Sequence, residues 1–149
     1  MLVPGLKRQD CHSFRSFLIV AQRNVVFVLD DDLDMLKGLG RLLEVHGFCP
    51  KLFDSAEAFF ATCNDDEGIC LLLDLHLDHI SGIDVKRRLM RSGACLPVIF
   101  ITGKDNELSR RLVEEVGCVA YLAKPFTAKS LMKAIELAEL SKPNSNDLR

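Results

Sequence analysis

Tryptophan is absent from these 149 residues, tyrosine occurs once, at Tyr121, and the six cysteines are scattered with no C-x-x-C pair among them. Dispersed cysteines among apolar neighbours read as small buried hydrophobes in a reducing compartment, and no chemistry is assigned to them. Charge of one sign is lacking too: 19 lysines and arginines face 21 acidic residues, a net charge of -2, which offers no pull toward nucleic acid or anionic lipid. Direct nucleic-acid binding is therefore not expected. The only apolar run near the N-terminus, 17–21, falls short of the about 7 residues a secretory signal needs. No run approaches the roughly 18 apolar residues of a membrane span, so a cytoplasmic location without membrane contact is expected. No internal repeat is visible.

What is present is ordinary globular composition, 48% hydrophobic and 27% charged, in a length that suits one domain. Short apolar runs at 25–30, 48–53, 69–74, 98–102 and 119–122 alternate with stretches of helical periodicity. Five β-α units of this kind predict an α/β fold with a parallel sheet covered on both faces. The helical stripes are Met35, Leu39 and Leu42, stopping at Gly47, then Phe59, Phe60 and Cys63 behind a cap at Asp54 and Ser55. A third runs over 83–91 before Gly93. Leu108, Leu112 and Val116 precede Gly117, and Leu131, Ala134, Ile135 and Ala138 follow Thr127. Residues 1–23 carry no clear period and 141–149 are polar and broken by Pro143, so the domain is placed at 24–140 between an N-terminal extension and a tail.

In an open parallel sheet, ligands bind beyond the carboxyl ends of the strands. The polar residues lie there. The first strand runs into Asp30 and Asp31, the third ends at Asp74, the fourth at Thr102, and the fifth leads to Lys124. Three carboxylates gathered without a counter-ion raise one another's pKa, so the cluster implies a hard divalent cation, with Mg²⁺ the natural choice beside phosphate. One carboxylate can act as nucleophile while a lysine ammonium and a threonine hydroxyl bind the transferring group's oxygens. Taken singly, the acidic run 30–32 reads as a solvated loop or a helix cap, and a lone Thr or Lys at a strand end as unremarkable. Their joint occurrence at four strand ends points to a phosphoacceptor site.

The residues at this point resemble the receiver domain of two-component response regulators, over 24–140. The resemblance is carried by VLDDD at 28–32, the buried strand ending at Asp74 with Ser81 and Gly82 beyond it, ITG with Thr102 and Gly103, and KPF from Lys124 to Phe126. FDSAEAFF at 53–60 and the ITG motif are similar to receivers of the nitrogen-fixation regulator type. The resemblance implies a flavodoxin-like doubly wound five-stranded sheet of order 2-1-3-4-5 with helices on both faces. By position it makes Asp74 the phosphoacceptor and Thr102 and Lys124 the phosphate-binding pair. Asp31 and Asp74 become direct Mg²⁺ ligands, Asp30 a ligand through water, and the backbone carbonyl of His76 a further ligand. Tyr121 takes the aromatic switch position together with Thr102, and Lys124-Pro125 is expected to be cis.

The implied partner is a sensor histidine kinase or a phosphotransfer protein, and the implied output is a change in the face built from the fourth helix, fifth strand and fifth helix, which could support a homodimer. The resemblance implies a switch rather than an enzyme. The loop LHLDHISG departs from the family, which commonly has proline and aspartate where Asp78 and His79 stand. That departure keeps open a phosphorylation-independent interaction module. An aspartate-nucleophile phosphatase of the haloacid-dehalogenase type uses similar groups, but Asp34 stands where its D-x-D-x-T/V motif needs Thr or Val, and no acidic pair follows Lys124. His76 and His79 have a possible metal-ligand spacing, although solvated loop histidines are the commoner case.

Overall fold

A computed structural model describes residues 24–63 and 67–142. Residues 1–23 and 143–149, which carry the expected N-terminal extension and most of the expected tail, lie outside the described residues. The strands are β1 (Val25–Leu29), β2 (Cys49–Phe53), β3 (Gly68–Asp74), β4 (Val98–Thr102) and β5 (Ala120–Ala123). The helices are α1 (Leu33–Val45), α2 (Ala56–Thr62), α3 (Gly82–Arg91), α4 (Glu107–Val116) and α5 (Ala128–Ser141). All strand pairs are parallel and the order is β2-β1-β3-β4-β5, the flavodoxin-like arrangement expected.

The three central strands are buried along their whole length because successive side chains enter opposite faces and both faces are covered. Phe27, Leu29, Leu71, Leu73, Val98 and Phe100 meet α2, α3 and α4 on one side. Val26, Val28, Leu72, Ile99 and Ile101 meet α1 and α5 on the other. Full burial of each such Phe or Leu stabilises by roughly 1.5–3 kcal/mol. Pro50 sits in β2, an edge strand, where a missing N–H is tolerated. A register shift between Val25 and Val26 lets β3 keep Ile69 and Cys70 on one face. Gly68 at its start lies so close to Phe27 that a Cβ would fall 2.3 Å from the ring.

Local signals set most helix ends. Asp32, Ser55, Ser81, Asn106 and Thr127 each accept a backbone N–H from the first turn of α1 to α5 in order. Gly93 and Gly117 follow α3 and α4 with positive φ, as the stripes required. α2, only seven residues, is anchored by Phe59, whose ring lies 5.4 Å from Phe53 and 5.9 Å from Phe27.

Two stripes are differently phased from their sequence reading. α1 buries Leu36, Leu39 and Leu43, with Met35 and Leu42 at the flank. α4 buries Ser109 and Val113 while Leu108 is 66% exposed, because Asn106 caps the helix and starts it with Leu108 turned outward. Among the described cysteines, Cys70, Cys95 and Cys118 carry free thiols, and burial pushes the Cys70 thiol far up.

Candidate functional site

Placing β1 beside β3 brings the ends of two strands together, and with them the acidic residues. Asp30 is 1% and Asp74 6% exposed, and Asp31 is half-buried. One carboxylate oxygen from each lies within 4.8 Å of the others. Lys124, reached from the end of β5, donates from Nζ to Asp30 Oδ2 at 3.1 Å and stands 3.6 Å from Asp74 Oδ2. Three carboxylates against one ammonium leave an excess of negative charge and an all-oxygen donor set, which fits a hard divalent cation. Asp32, third in the acidic run, is not part of the cluster: its Oδ1 caps α1 by accepting from Asp34 at 3.0 Å and Met35 at 3.3 Å.

Backbone donors orient the two buried carboxylates. Asp30 Oδ1 accepts the Asp32 N–H at 2.9 Å and Asp74 Oδ1 the His76 N–H at 3.1 Å. Burial is the main cause that pushes the Asp74 carboxyl up to about 6; the His76 N–H and Lys124 oppose it, and the Asp30 charge adds to it. Asp31 is also raised, first by burial and then by the carboxyl of Asp78, which reaches it from the loop after β3. That loop is closed at its base by Gly82 N–H on the Leu75 carbonyl, 2.9 Å, and by a bridge between His76 and Ser81. Both His76 and His79 side chains are exposed.

β4 is the next strand over, and Thr102 ends it fully buried, with its hydroxyl accepting the Lys104 N–H at 2.9 Å. The Lys124-Pro125 peptide is cis. Tyr121 is not drawn into the cluster; its hydroxyl donates to Asp105 Oδ1 at 3.1 Å.

Residues 26–136 match the family of the response regulator receiver domain. The chain belongs to this family. The receiver is 34% identical over 115 residues to response regulator protein TodT of Pseudomonas putida, covering 77% of this chain and 51% of TodT. It is 31% identical over 131 residues to transcriptional regulatory protein FixJ of Rhizobium meliloti, covering 83% of this chain and 64% of FixJ. The chain thus spans about half the length of TodT. Its fold superposes on the crystal structure of FixJ-N with a TM-score of 0.74 at 32% identity, over 80% of this chain and 95% of that one. The response regulator StyR gives a TM-score of 0.73, also at 32% identity, over 81% of this chain and 61% of that one.

Two features of the receiver were not assigned from sequence. Asp78 stands out in the sequence only as a departure of the loop from the family, whereas it meets Asp31. Asp105 was not singled out at all, and it holds Tyr121 together with Arg110. Neither has a motif, because the spacing of Asp105 to Arg110 spans a loop and a helix start and follows no helical or strand period. No helix among the described residues is long and apolar enough to cross a membrane.

Proposed function

We propose that this receiver takes a phosphoryl group onto Asp74 from a sensor histidine kinase or a phosphotransfer protein, and that the acyl phosphate switches partner binding. The observation that carries the reading is the position of the Asp74 carboxylate, at a buried strand end, grouped with Asp30 and Asp31 and 3.6 Å from the Lys124 ammonium. A carboxylate oxygen of Asp74 attacks the phosphorus of the phosphohistidine. The new P–O bond forms as the P–N bond breaks, and the imidazole nitrogen leaves with the electron pair and takes a proton from water.

Asp30, Asp31, Asp74 and the His76 backbone carbonyl would hold Mg²⁺. When bound, the ion neutralises charge on the phosphoryl oxygens and offsets the repulsion among the carboxylates. Lys124 binds the equatorial oxygens from the other side, and Thr102, whose hydroxyl only accepts from the Lys104 N–H, donates its own proton to them. The added charge of about -1.5 to -2 is the signal. Thr102 moves toward it, Tyr121 follows into the space left, and the face of α4, β5 and α5 changes shape. In this reading the protein is a cytoplasmic switch without turnover of a substrate, and this domain makes no direct contact with nucleic acid.

Incubation with acetyl phosphate and Mg²⁺, read by intact mass, is expected to add one phosphoryl group to the wild type and none to Asp74→Asn. Equal uptake by both would sink the assignment.

A further inference from the structure

Tyr121 is the only tyrosine in the chain, and the groups that hold it belong to none of the metal or phosphate contacts. On β5 it stands opposite Phe100 of β4, two residues before Thr102, so the Tyr121 and Thr102 side chains leave the same face of the sheet. Its hydroxyl donates to Asp105 Oδ1 at 3.1 Å. Arg110 on α4 grips the same carboxylate with two bonds, Nε to Oδ1 at 2.8 Å and Nη2 to Oδ2 at 2.7 Å. A fork of this kind fixes the carboxylate's direction as well as its position.

Asp105 is also tied to Thr102 through the chain. The Thr102 hydroxyl accepts the Lys104 N–H at 2.9 Å, the Lys104 carbonyl accepts the Ser109 hydroxyl at 3.3 Å, and Asn106 caps α4 through the Ser109 N–H at 2.8 Å. The Thr102 hydroxyl keeps its own proton for a phosphoryl oxygen while it accepts the Lys104 N–H, so a Thr102 that moves toward the phosphoryl group pulls on the segment that carries Asp105. The two ends of the switch therefore share one short loop.

We propose that Asp105 and Arg110 form a clamp that positions Tyr121 against α4 in the unphosphorylated receiver and sets how readily the switch is thrown. The proposal rests on the reading of Thr102 and Tyr121 as switch residues. The electrostatics agree: burial and then the bond to Asp105 raise the Tyr121 hydroxyl's pKa, and the Arg110 fork followed by Tyr121 holds Asp105 below the usual carboxylate range. Asp105 and Arg110 are positioning residues, acting through Tyr121 rather than on the phosphoryl group.

With no tryptophan and one tyrosine, the protein's intrinsic emission reports Tyr121 alone. A phenol that donates to a carboxylate emits weakly, so Asp105→Ala is expected to raise the emission and Arg110→Ala to raise it less. Arg111→Ala is the control, since it removes a 2.7 Å pair with Glu107 on the same helix without touching Tyr121. Both clamp variants are expected to take up phosphoryl from acetyl phosphate about two- to fivefold faster than wild type, the scale a well-formed exposed pair can supply, while the control keeps the wild-type rate. All three sites are on the surface, and thermal melts check that each variant is folded. Clamp variants that match the control in both emission and rate overturn the proposal. A wild type that takes up no phosphoryl group overturns the Asp74 reading instead, and the emission, which needs no phosphorylation, still decides whether the clamp holds Tyr121.

Discussion

Asp74 carries its charge where burial disfavours charge, and this has a consequence for stability. Its carboxyl is pushed up to about 6 in the fold, against an ordinary 3.8. The folded state thus holds the proton more tightly than the unfolded chain does. Ionising Asp74 weakens the fold progressively as pH rises from about 4 to about 6, and the loss is complete above that window. Without divalent cations at neutral pH, Asp74→Asn is expected to be more stable than wild type by about 1–2 kcal/mol in urea unfolding. The gap is expected to close toward pH 4 and to shrink when Mg²⁺ is added to the wild type. Equal stability of the two at neutral pH in a chelator would show that Lys124 and the His76 N–H already compensate the charge.

At the scale of elements, the site depends on how closely α3 approaches the end of β3. A Cβ on Gly82 would lie 2.5 Å from the Asp74 carbonyl oxygen and 2.9 Å from the Leu75 Cα, both backbone atoms that cannot turn aside. Gly82→Ala is therefore expected to destabilise by about 1–3 kcal/mol and to slow phosphoryl uptake, because the loop from Leu75 to Ser81 must shift. Gly38→Ala is the contrast: nothing lies within 4 Å of its added Cβ, in mid-α1, and a gain of about 0.5–1 kcal/mol is expected. Urea unfolding reads both. Sequence reading found every element here, since Ser55 and Thr127 announce helix starts and Gly93 and Gly117 announce ends; the caps at Ser81 and Asn106 emerged only in the fold. It misjudged the phase of α4, where Leu108, Leu112 and Val116 make as good a stripe as the one centred on Val113. Periodicity cannot tell which of two adjacent stripes faces a sheet.

For the whole molecule, Leu108 on α4 and Leu137 and Leu140 on α5 are large apolar side chains left in solvent, 66%, 45% and 78% exposed. If the face of α4, β5 and α5 is the output surface, beryllofluoride with Mg²⁺ is expected to convert a monomer into a dimer in sedimentation equilibrium; an unchanged mass would count against dimerisation as the output. The chain's own local pattern determined the β-α alternation and which polar residues end the strands, because apolar period, caps and turn glycines act over a few residues. It also marked Asp30, Asp31, Asp74, Thr102 and Lys124, each the polar residue that stops an apolar run or follows one. Only the tertiary structure decided what those residues do to one another. Lys124 and Asp30 are 94 positions apart and meet because β1 lies next to β3 and β5, two strands beyond β3, runs parallel to them and so delivers Lys124 to the same end of the sheet. The Asp105–Arg110–Tyr121 contact likewise exists only where a loop, a helix and a strand converge. Side-chain chemistry is written locally, but distance between side chains is set by packing.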